Sequence, residues 1–140
     1  MIVESSKGRV FAGRLPHNGD LVGELTRICK DKGITAGRVE VIGAVKKARV
    51  GFYNQSEKKY GFRDFDQPME ILAVVGNISI KDGEPFVHAH ITLSDSEDRA
   101  FGGHLCEGTT VFAAEFRIEE MAGAELVRKP DQTTGLPLWS

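Results

Sequence analysis

The feature that most constrains the fold is a strict alternation of apolar and polar side chains between residues 86 and 93. Successive side chains of a β-strand point to opposite faces of a sheet, so this pattern predicts a strand with one buried face. The apolar face consists of Val87, Ala89, Ile91 and Leu93. The opposite face carries Phe86, His88, His90 and Thr92. The sequence therefore predicts that two histidines share the face turned away from the core.

One segment carries the signals of an α-helix. Apolar side chains recur there at helical spacing, namely Leu21, Leu25, Ile28 and Cys29. Asp20 precedes this stripe and can accept hydrogen bonds from the first free N–H groups of a helix. Lys30 and Lys32 suit the last turn, and Gly33 suits the left-handed residue that ends a helix. The pattern predicts one principal helix, with Cys29 packed in the core.

Most of the remaining chain carries β-strand signals. Apolar runs predict strands over Gly8–Leu15, Gly37–Ile42, Val45–Tyr53, Met69–Val75 and Thr109–Glu119. Asp82-Gly83 indicates a tight hairpin turn, and the polar segment Asn54–Asp66 predicts a loop or an irregular hairpin. The expected fold is a single α/β domain of the α+β type over residues 1–140, with mainly antiparallel β-sheets and one principal helix.

Composition limits the classes of partner. The net charge of -2 does not indicate a surface built to neutralise a phosphate backbone. No run approaches the roughly 18 apolar residues of a membrane-spanning helix, and the first residues lack the pattern of a signal peptide. Two cysteines are too few for a disulfide framework. We expect a cytoplasmic protein with no membrane partner.

A second strand brings a third histidine to the same face. The run Ala100–Glu107 has Phe101, Gly103 and Leu105 on its apolar side and Gly102, His104 and Cys106 on the other. Because a slip of one residue turns a strand over, only every second register keeps both apolar sets in the core. One such register places His90 opposite His104, and the next places His88 opposite His104. In both, the histidine Cβ atoms are about 4.5–8 Å apart, and the neighbouring glycines leave room for an ion.

Three neutral imidazoles on one face predict a metal site. Imidazole is a common ligand of zinc and suits other first-row divalent ions, so His88, His90 and His104 are the candidate ligands. Three protein ligands with an open fourth position are typical of catalytic zinc. The alternative is a solvent-exposed polar face without an ion. Cys106 either adds a soft ligand or packs as a small thiol, and His17 is interpreted as a surface residue.

Glu115 is the candidate catalytic residue. It lies in an alternating run beside Ala113 and Arg117, on the face turned away from the core. A carboxylate there could orient a ligand histidine or act as a general base beside bound water. The alternatives are an ion pair with Arg117 or a solvated charge.

These motifs resemble a known family. Gly83, then His88-Ala89-His90, then Gly102-Gly103-His104-Leu105 and Glu115 are similar to the plant and prokaryote conserved (PPC) domain in its single-domain prokaryotic form. That form is described as having a PD1-like DNA-binding motif. The similarity extends from Gly8-Arg9-Val10 to Arg128-x-x-Asp131-x-x-Thr134-Gly135-Leu136 and covers nearly the whole chain.

The resemblance implies an α/β fold with antiparallel sheets, a homotrimer, and a loose relationship to α-acetolactate decarboxylase. It also implies that His88, His90 and His104 are the metal ligands. Plant members have a Gly-Arg-Phe-Glu-Ile-Leu segment for partner contacts, of which this chain keeps only Glu70-Ile71-Leu72. They also have an AT-hook, a basic arm of the Arg-Gly-Arg-Pro type. This chain has no such sequence.

Two functions of different class follow. The first is a trimeric binding or regulatory module that contacts DNA or protein partners, with a structural or sensory metal. Its candidate DNA-binding surface is the clusters Lys46-Lys47-Ala48-Arg49 and Lys58-Lys59-Tyr60. The second is a zinc-dependent enzyme for a small hydroxy or keto acid or ester. The sequence leaves open which applies, and whether the basic clusters are only solvated charges. Because the chain closes on Leu138 and Trp139, we expect the extended segment 128–140 to pack on this domain or on a neighbouring subunit.

Overall fold

The computed structural model describes residues 1–140 and contains one α-helix and nine β-strands. In chain order the elements are β1 (Ser6–Arg14), α1 (Leu21–Lys32), β2 (Gly37–Asn54), β3 (Lys59–Phe65), β4 (Met69–Lys81), β5 (Glu84–Ser94), β6 (Ala100–Leu105), β7 (Thr110–Ala122), β8 (Val127–Pro130) and β9 (Pro137–Trp139). The α+β class with a single helix, expected from the sequence, is confirmed.

All nine strands belong to one hydrogen-bonded sheet with the order β1-β7-β2-β6-β5-β4-β8-β9. Strand β3 pairs with β2, and β2 pairs in addition with β4. The pairs β2–β6, β6–β5, β5–β4 and β4–β2 therefore close a ring of four strands. Every pair is antiparallel except β4–β8. The ring fixes β5 and β6 as neighbours, which sets the place of the candidate site.

Helix α1 covers the core side of the sheet. The Asp20 side chain accepts a hydrogen bond from the Gly23 N–H, and Gly33 ends the helix in the left-handed conformation, with φ 64°. Leu21, Leu25 and Cys29 are fully buried and belong to the cluster that also contains the apolar face of β5. The predicted core position of Cys29 is confirmed, and burial raises the pKa of its thiol to about 12.

The segment Asn54–Asp66 is more regular than the sequence indicates. Strand β2 runs without interruption to Asn54, and β3 pairs with it from Ala48↔Phe65 to Asn54↔Lys59 without a shift in register. The hairpin carries little of the alternation that predicts a strand, because most β3 side chains are exposed on both faces. Its pairing with the long strand β2 supplies the order that local sequence does not encode.

Strand β7 breaks its own alternation. The pairing of β2 with β7 shifts in register between Ala44 and Lys47. Residues on either side of this irregularity change faces, as expected for an extra residue in a strand. An unbroken alternation that turns Ala113 and Glu115 away from the core would place Phe112 in the core. Phe112 is instead 56% exposed, whereas Val111 is fully buried.

The C-terminal residues form a small hairpin at one end of the sheet order. Strand β8 lies parallel to β4 through Ile80↔Val127 and Lys81↔Arg128, and β9 pairs with β8. Leu138 and Trp139 are each somewhat more than one-third exposed. No helix in the structure combines the length and apolarity needed to cross a bilayer.

Candidate metal centre

The structure brings the three predicted histidines together on one face of β5 and β6. His90 is the cross-strand partner of His104, which is the first of the two registers considered above. One donor atom from each of His88, His90 and His104 lies within 4.8 Å of the other two. The ring centroids are 5.4 Å apart for His88–His90, 5.1 Å for His88–His104 and 5.7 Å for His90–His104. We call these three residues the histidine cluster.

The environment keeps at least two of the imidazoles neutral. Burial, followed by the positive charge of Arg128, lowers the pKa of His88 from 6.5 to about 4. Burial and then the neighbouring His90 lower the pKa of His104. Desolvation disfavours the charged form of histidine, so both rings offer a lone pair at neutral pH. A neutral imidazole is the form that binds a metal ion.

One buried nitrogen of the cluster has no hydrogen-bond partner. Nδ1 of His104 is the only buried side-chain nitrogen or oxygen of the chain without one. A buried polar atom normally has a partner, so this atom marks a place for a ligand. Two nitrogens on one zinc ion stand at most about 4.2 Å apart, since each Zn–N distance is about 2.1 Å. Small ring movements would close the cluster on one ion, so these donors fit a divalent metal.

His90 gives the cluster an open side. Its side chain is exposed, whereas those of His88 and His104 are partly buried. Three protein donors leave a position free on a four-coordinate ion. The arrangement can therefore hold a metal and also admit a ligand from solution.

The β2–β3 hairpin covers the cluster on another side. The Tyr60 ring lies 5.1 Å from the His104 ring and 6.1 Å from Phe62, with which it stacks. Burial raises the pKa of the Tyr60 hydroxyl. In the sequence Tyr60 belongs only to a basic cluster, because no local pattern shows that a hairpin some 40 positions away folds over His104.

Arg128 on β8 is the second residue that the sequence did not assign to the site. Its Nη2 lies 3.4 Å from His88 Nδ1, its Nε donates to Ser79 Oγ at 2.8 Å, and its Nη1 donates to the Pro137 carbonyl at 3.0 Å. Burial lowers the pKa of this guanidinium. A cavity of about 240 Å³ is lined by Arg128 and Tyr60 and by two residues of the cluster, His88 and His104. The only signal in the sequence is its place in the C-terminal motif of the family resemblance.

The two glycines beside His104 allow close contact between strands. A Cβ on Gly102 would lie 2.6 Å from the Ile91 carbonyl oxygen, and one on Gly103 would lie 2.8 Å from the Gly51 carbonyl oxygen. Both neighbours are backbone atoms that cannot move aside easily. The space that these glycines leave is therefore taken by adjacent strands.

The other candidate residues lie outside the histidine cluster. Glu115 is exposed on β7, opposite Arg14 of β1 and Ile42 of β2, and Arg117 pairs with Glu119 instead of with it. Cys106 donates from its Sγ to the His104 carbonyl at 3.4 Å, and burial raises its thiol pKa. His17 is exposed and contacts the Phe112 carbonyl through Nδ1.

Comparison with protein families and solved structures places the chain. The model of the Plants and Prokaryotes Conserved (PCC) domain, the domain called PPC above, matches residues 2–122. A metal-containing protein from Archaeoglobus fulgidus is 38% identical, with a TM-score of 0.94 over all of this chain and 99% of that one. A plant- and prokaryote-conserved (PPC) protein from Pyrococcus horikoshii is 37% identical, with a TM-score of 0.95 over all of this chain and 97% of that one.

Two further relatives are described in other terms, one by DNA binding and one as a much longer bifunctional protein. A Bacteroides thetaiotaomicron protein whose name proposes DNA binding is 29% identical, with a TM-score of 0.87 over 97% of this chain and 96% of that one. The bifunctional protein GlmU of a Synechococcus strain is 31% identical over 91% of this chain, which spans only 20% of that protein's length.

The expected relationship to α-acetolactate decarboxylase holds for the fold. A Staphylococcus aureus protein described as similar to that enzyme is 16% identical, with a TM-score of 0.55 over 86% of this chain and 55% of that one. At this identity the similarity concerns the fold alone. The family match covers most of the chain, and the archaeal structures match all of it. The chain therefore belongs to the plant and prokaryote conserved (PPC) domain family.

Proposed function

We propose that this protein binds a divalent metal ion, zinc or another first-row metal, through His88, His90 and His104. The observation that carries the proposal is the histidine cluster itself, whose three donor atoms lie within 4.8 Å of one another. The lowered pKa values of His88 and His104 support it, because protons compete poorly for those nitrogens. The Archaeoglobus relative, described as metal-containing, is consistent with this assignment.

Titration with cobalt(II) tests the metal site. Co²⁺ reports nitrogen ligation through its visible d–d absorption, and the wild type should bind one ion per chain. His90→Gln should lose that absorption, because it removes an exposed donor without disturbing the core. His17→Gln is the matched control, since His17 lies outside the cluster. Equal cobalt spectra for the wild type and His90→Gln would contradict the assignment.

We further propose a homotrimer, as the family resemblance implies. Large apolar side chains are exposed on strands β2, β4 and β7, namely Ile42 (58%), Leu72 (52%), Val75 (47%) and Phe112 (56%). An apolar surface of this kind is typical of a subunit interface. Val75 is the cross-strand partner of His90, so a subunit on this surface would border the metal site.

Light scattering coupled to size exclusion tests the trimer. The molar mass of the wild type should be three times the chain mass of 15.3 kDa, and Val75→Lys should lower the measured mass toward that of the monomer. Phe52→Lys serves as a comparison, because Phe52 is 78% exposed on β2 outside the four-residue surface. A monomeric wild type would contradict the proposal.

The open side of the cluster favours binding of a small molecule at the metal. The first candidate function is therefore that of a zinc-dependent enzyme for a hydroxy or keto acid or ester. Glu115 stays a prediction as its catalytic residue. Glu115→Gln should then lower turnover without changing cobalt binding. Metal-loaded protein that is inert toward a panel of such acids and esters would argue against an enzyme.

DNA binding is the second candidate, favoured by the name of the Bacteroides relative. Two of the basic side chains that would serve it have acidic neighbours within the chain, because Arg49 lies 3.8 Å from Asp64 and Lys59 lies 3.0 Å from Glu57. Lys46 and Lys47 are exposed. Electrophoretic mobility shift at low and moderate salt tests the candidate. The absence of a shift at micromolar protein in low salt would exclude it.

We also propose a cytoplasmic location. Both cysteines are free thiols, Cys29 in the core and Cys106 beside His104. Free thiols are typical of a reducing compartment. Cell fractionation of the native protein tests this location, and recovery outside the cytoplasm would contradict it.

A further inference from the structure

Arg128 is a partly buried cation without an acidic partner. None of the ion pairs of the chain involves it. Its guanidinium lies over the rings of Phe86 at 5.5 Å and Trp139 at 5.6 Å, and it donates to two neutral oxygens. A charge that is removed from water normally has an opposite charge nearby. The missing partner is therefore a property of this site that needs an explanation.

The charges around the cavity are all positive. The cavity beside Arg128 is also lined by Lys81, and no aspartate or glutamate lines it. Histidine ligands carry no negative charge, so a divalent ion in the histidine cluster would keep its full charge of about +2. Arg128 and the ion would then repel each other across His88 unless an anion lay between them.

The donors that Arg128 leaves free suit a carboxylate. A guanidinium has five N–H donors, and the hydrogen bonds to Ser79 and Pro137 use two of them. The 3.4 Å contact between Nη2 and His88 Nδ1 uses no donor when His88 binds a metal, because a neutral imidazole has only one lone pair. The remaining donors lie in one plane, which matches the two oxygens of a carboxylate. Because Nη2 is 3.4 Å from His88 Nδ1, a carboxylate bound to Arg128 would lie beside His88.

The cavity is also small and partly apolar. Its volume is about 240 Å³, and Phe86, Leu136 and Leu138 form much of its wall. This space suits a molecule of a few carbon atoms with one charged end. Tyr60 lines the same cavity, and its hydroxyl group is able to bond to a polar oxygen.

We propose that this cavity binds a small α-hydroxy or α-keto carboxylate, with its carboxylate on Arg128 and its α-oxygen facing the histidine cluster. The second contact rests on the metal site proposed above, whereas the first depends only on Arg128. The anion supplies the negative charge that the chain itself does not provide. Arg128 is thus a specificity-determining residue for a negatively charged ligand.

Isothermal titration with lactate and pyruvate tests the proposal. Both should bind the zinc-loaded wild type, and Arg128→Gln should weaken them by at least about tenfold. Arg128→Lys should retain part of the affinity, because it keeps the charge and loses the planar fork. Arg38→Gln is the matched control, since Arg38 is exposed and pairs with Glu40. Lactamide, the uncharged analogue of lactate, should not bind.

The design separates this inference from the proposed metal site. Zinc content is measured in every sample, and the titrations are repeated on metal-free protein. If zinc does not load, the metal site fails, whereas binding of lactate that still depends on Arg128 would support the carboxylate contact. If neither acid binds in either form, the inference is wrong. It is also wrong if Arg128→Gln, shown by circular dichroism to be folded, binds them as the wild type does, or if inorganic phosphate binds more tightly than both.

Discussion

The stability of the metal-free protein should depend on the protonation of His88. Folding lowers the pKa of this imidazole from 6.5 to about 4, first through burial and then through the charge of Arg128. Between those two values the unfolded chain binds a proton that the folded chain excludes. The free energy of unfolding therefore falls as the pH drops through this window, and it is highest above the unfolded pKa.

The size of this effect follows from the shift. Integrated from about pH 7.5 to about pH 5, a change in pKa from 6.5 to about 4 removes up to about 2 kcal/mol of stability. His104, whose pKa is also lowered by burial, acts in the same direction. The carboxylates of Glu120 and Asp95, whose pKa values are lowered by Arg9 and Arg99 respectively, lose their contributions mainly below this range.

Urea unfolding in the presence of a chelator measures the effect. The wild type and His88→Gln are compared at about pH 7.5 and about pH 5, because glutamine has no charge in either state. The wild type should lose up to about 2 kcal/mol more than the variant over this interval. Equal losses in the two proteins would refute the conclusion that the fold keeps His88 neutral.

Three further changes test the fold around the site. Leu25→Ala, at a fully buried helix position, should lower the free energy of unfolding by about 2–5 kcal/mol in urea, and a loss below about 1 kcal/mol would mean that α1 is not packed as described. Gly76→Ala places a Cβ 2.5 Å from the His88 carbonyl oxygen and should destabilise by about 1–3 kcal/mol or more, whereas a neutral effect would contradict the close pairing of β4 with β5. Removal of residues 134–140 deletes β9 and the Pro137 carbonyl that Arg128 contacts, so the melting temperature should fall; an unchanged temperature and an unchanged oligomer would show that this segment contributes nothing.

The histidine cluster could be predicted because its information is local. The alternation of β5 sets its buried face, and the apolar parity of β6 then allows only registers that bring His104 beside the other two histidines. The structure has the first of these registers, with His90 opposite His104. Burial of the apolar faces of β5 and β6 therefore determined how the three histidines on the opposite face are arranged.

The rest of the site depends on long-range contacts that leave no local pattern. Tyr60 reaches His104 because β3 pairs with the long strand β2. The sequence does not show this pairing, since most β3 side chains are exposed and the strand has no apolar face. Arg128 reaches His88 because β8 adds to the edge of β4, a parallel pairing between segments far apart in sequence. In β7, the irregularity near Phe112 turned one side chain outward against the predicted parity.

The metal content of the protein itself tests whether the histidine cluster is a metal site. Elemental analysis is carried out on protein purified without a chelator and without a metal-affinity tag, together with His88→Ala and His17→Ala variants. We expect one first-row divalent ion per chain in the wild type and in His17→Ala, and its loss in His88→Ala. A metal-free wild type that also binds no added zinc, or an equal metal content in His88→Ala, would show that the histidine cluster is not a metal site.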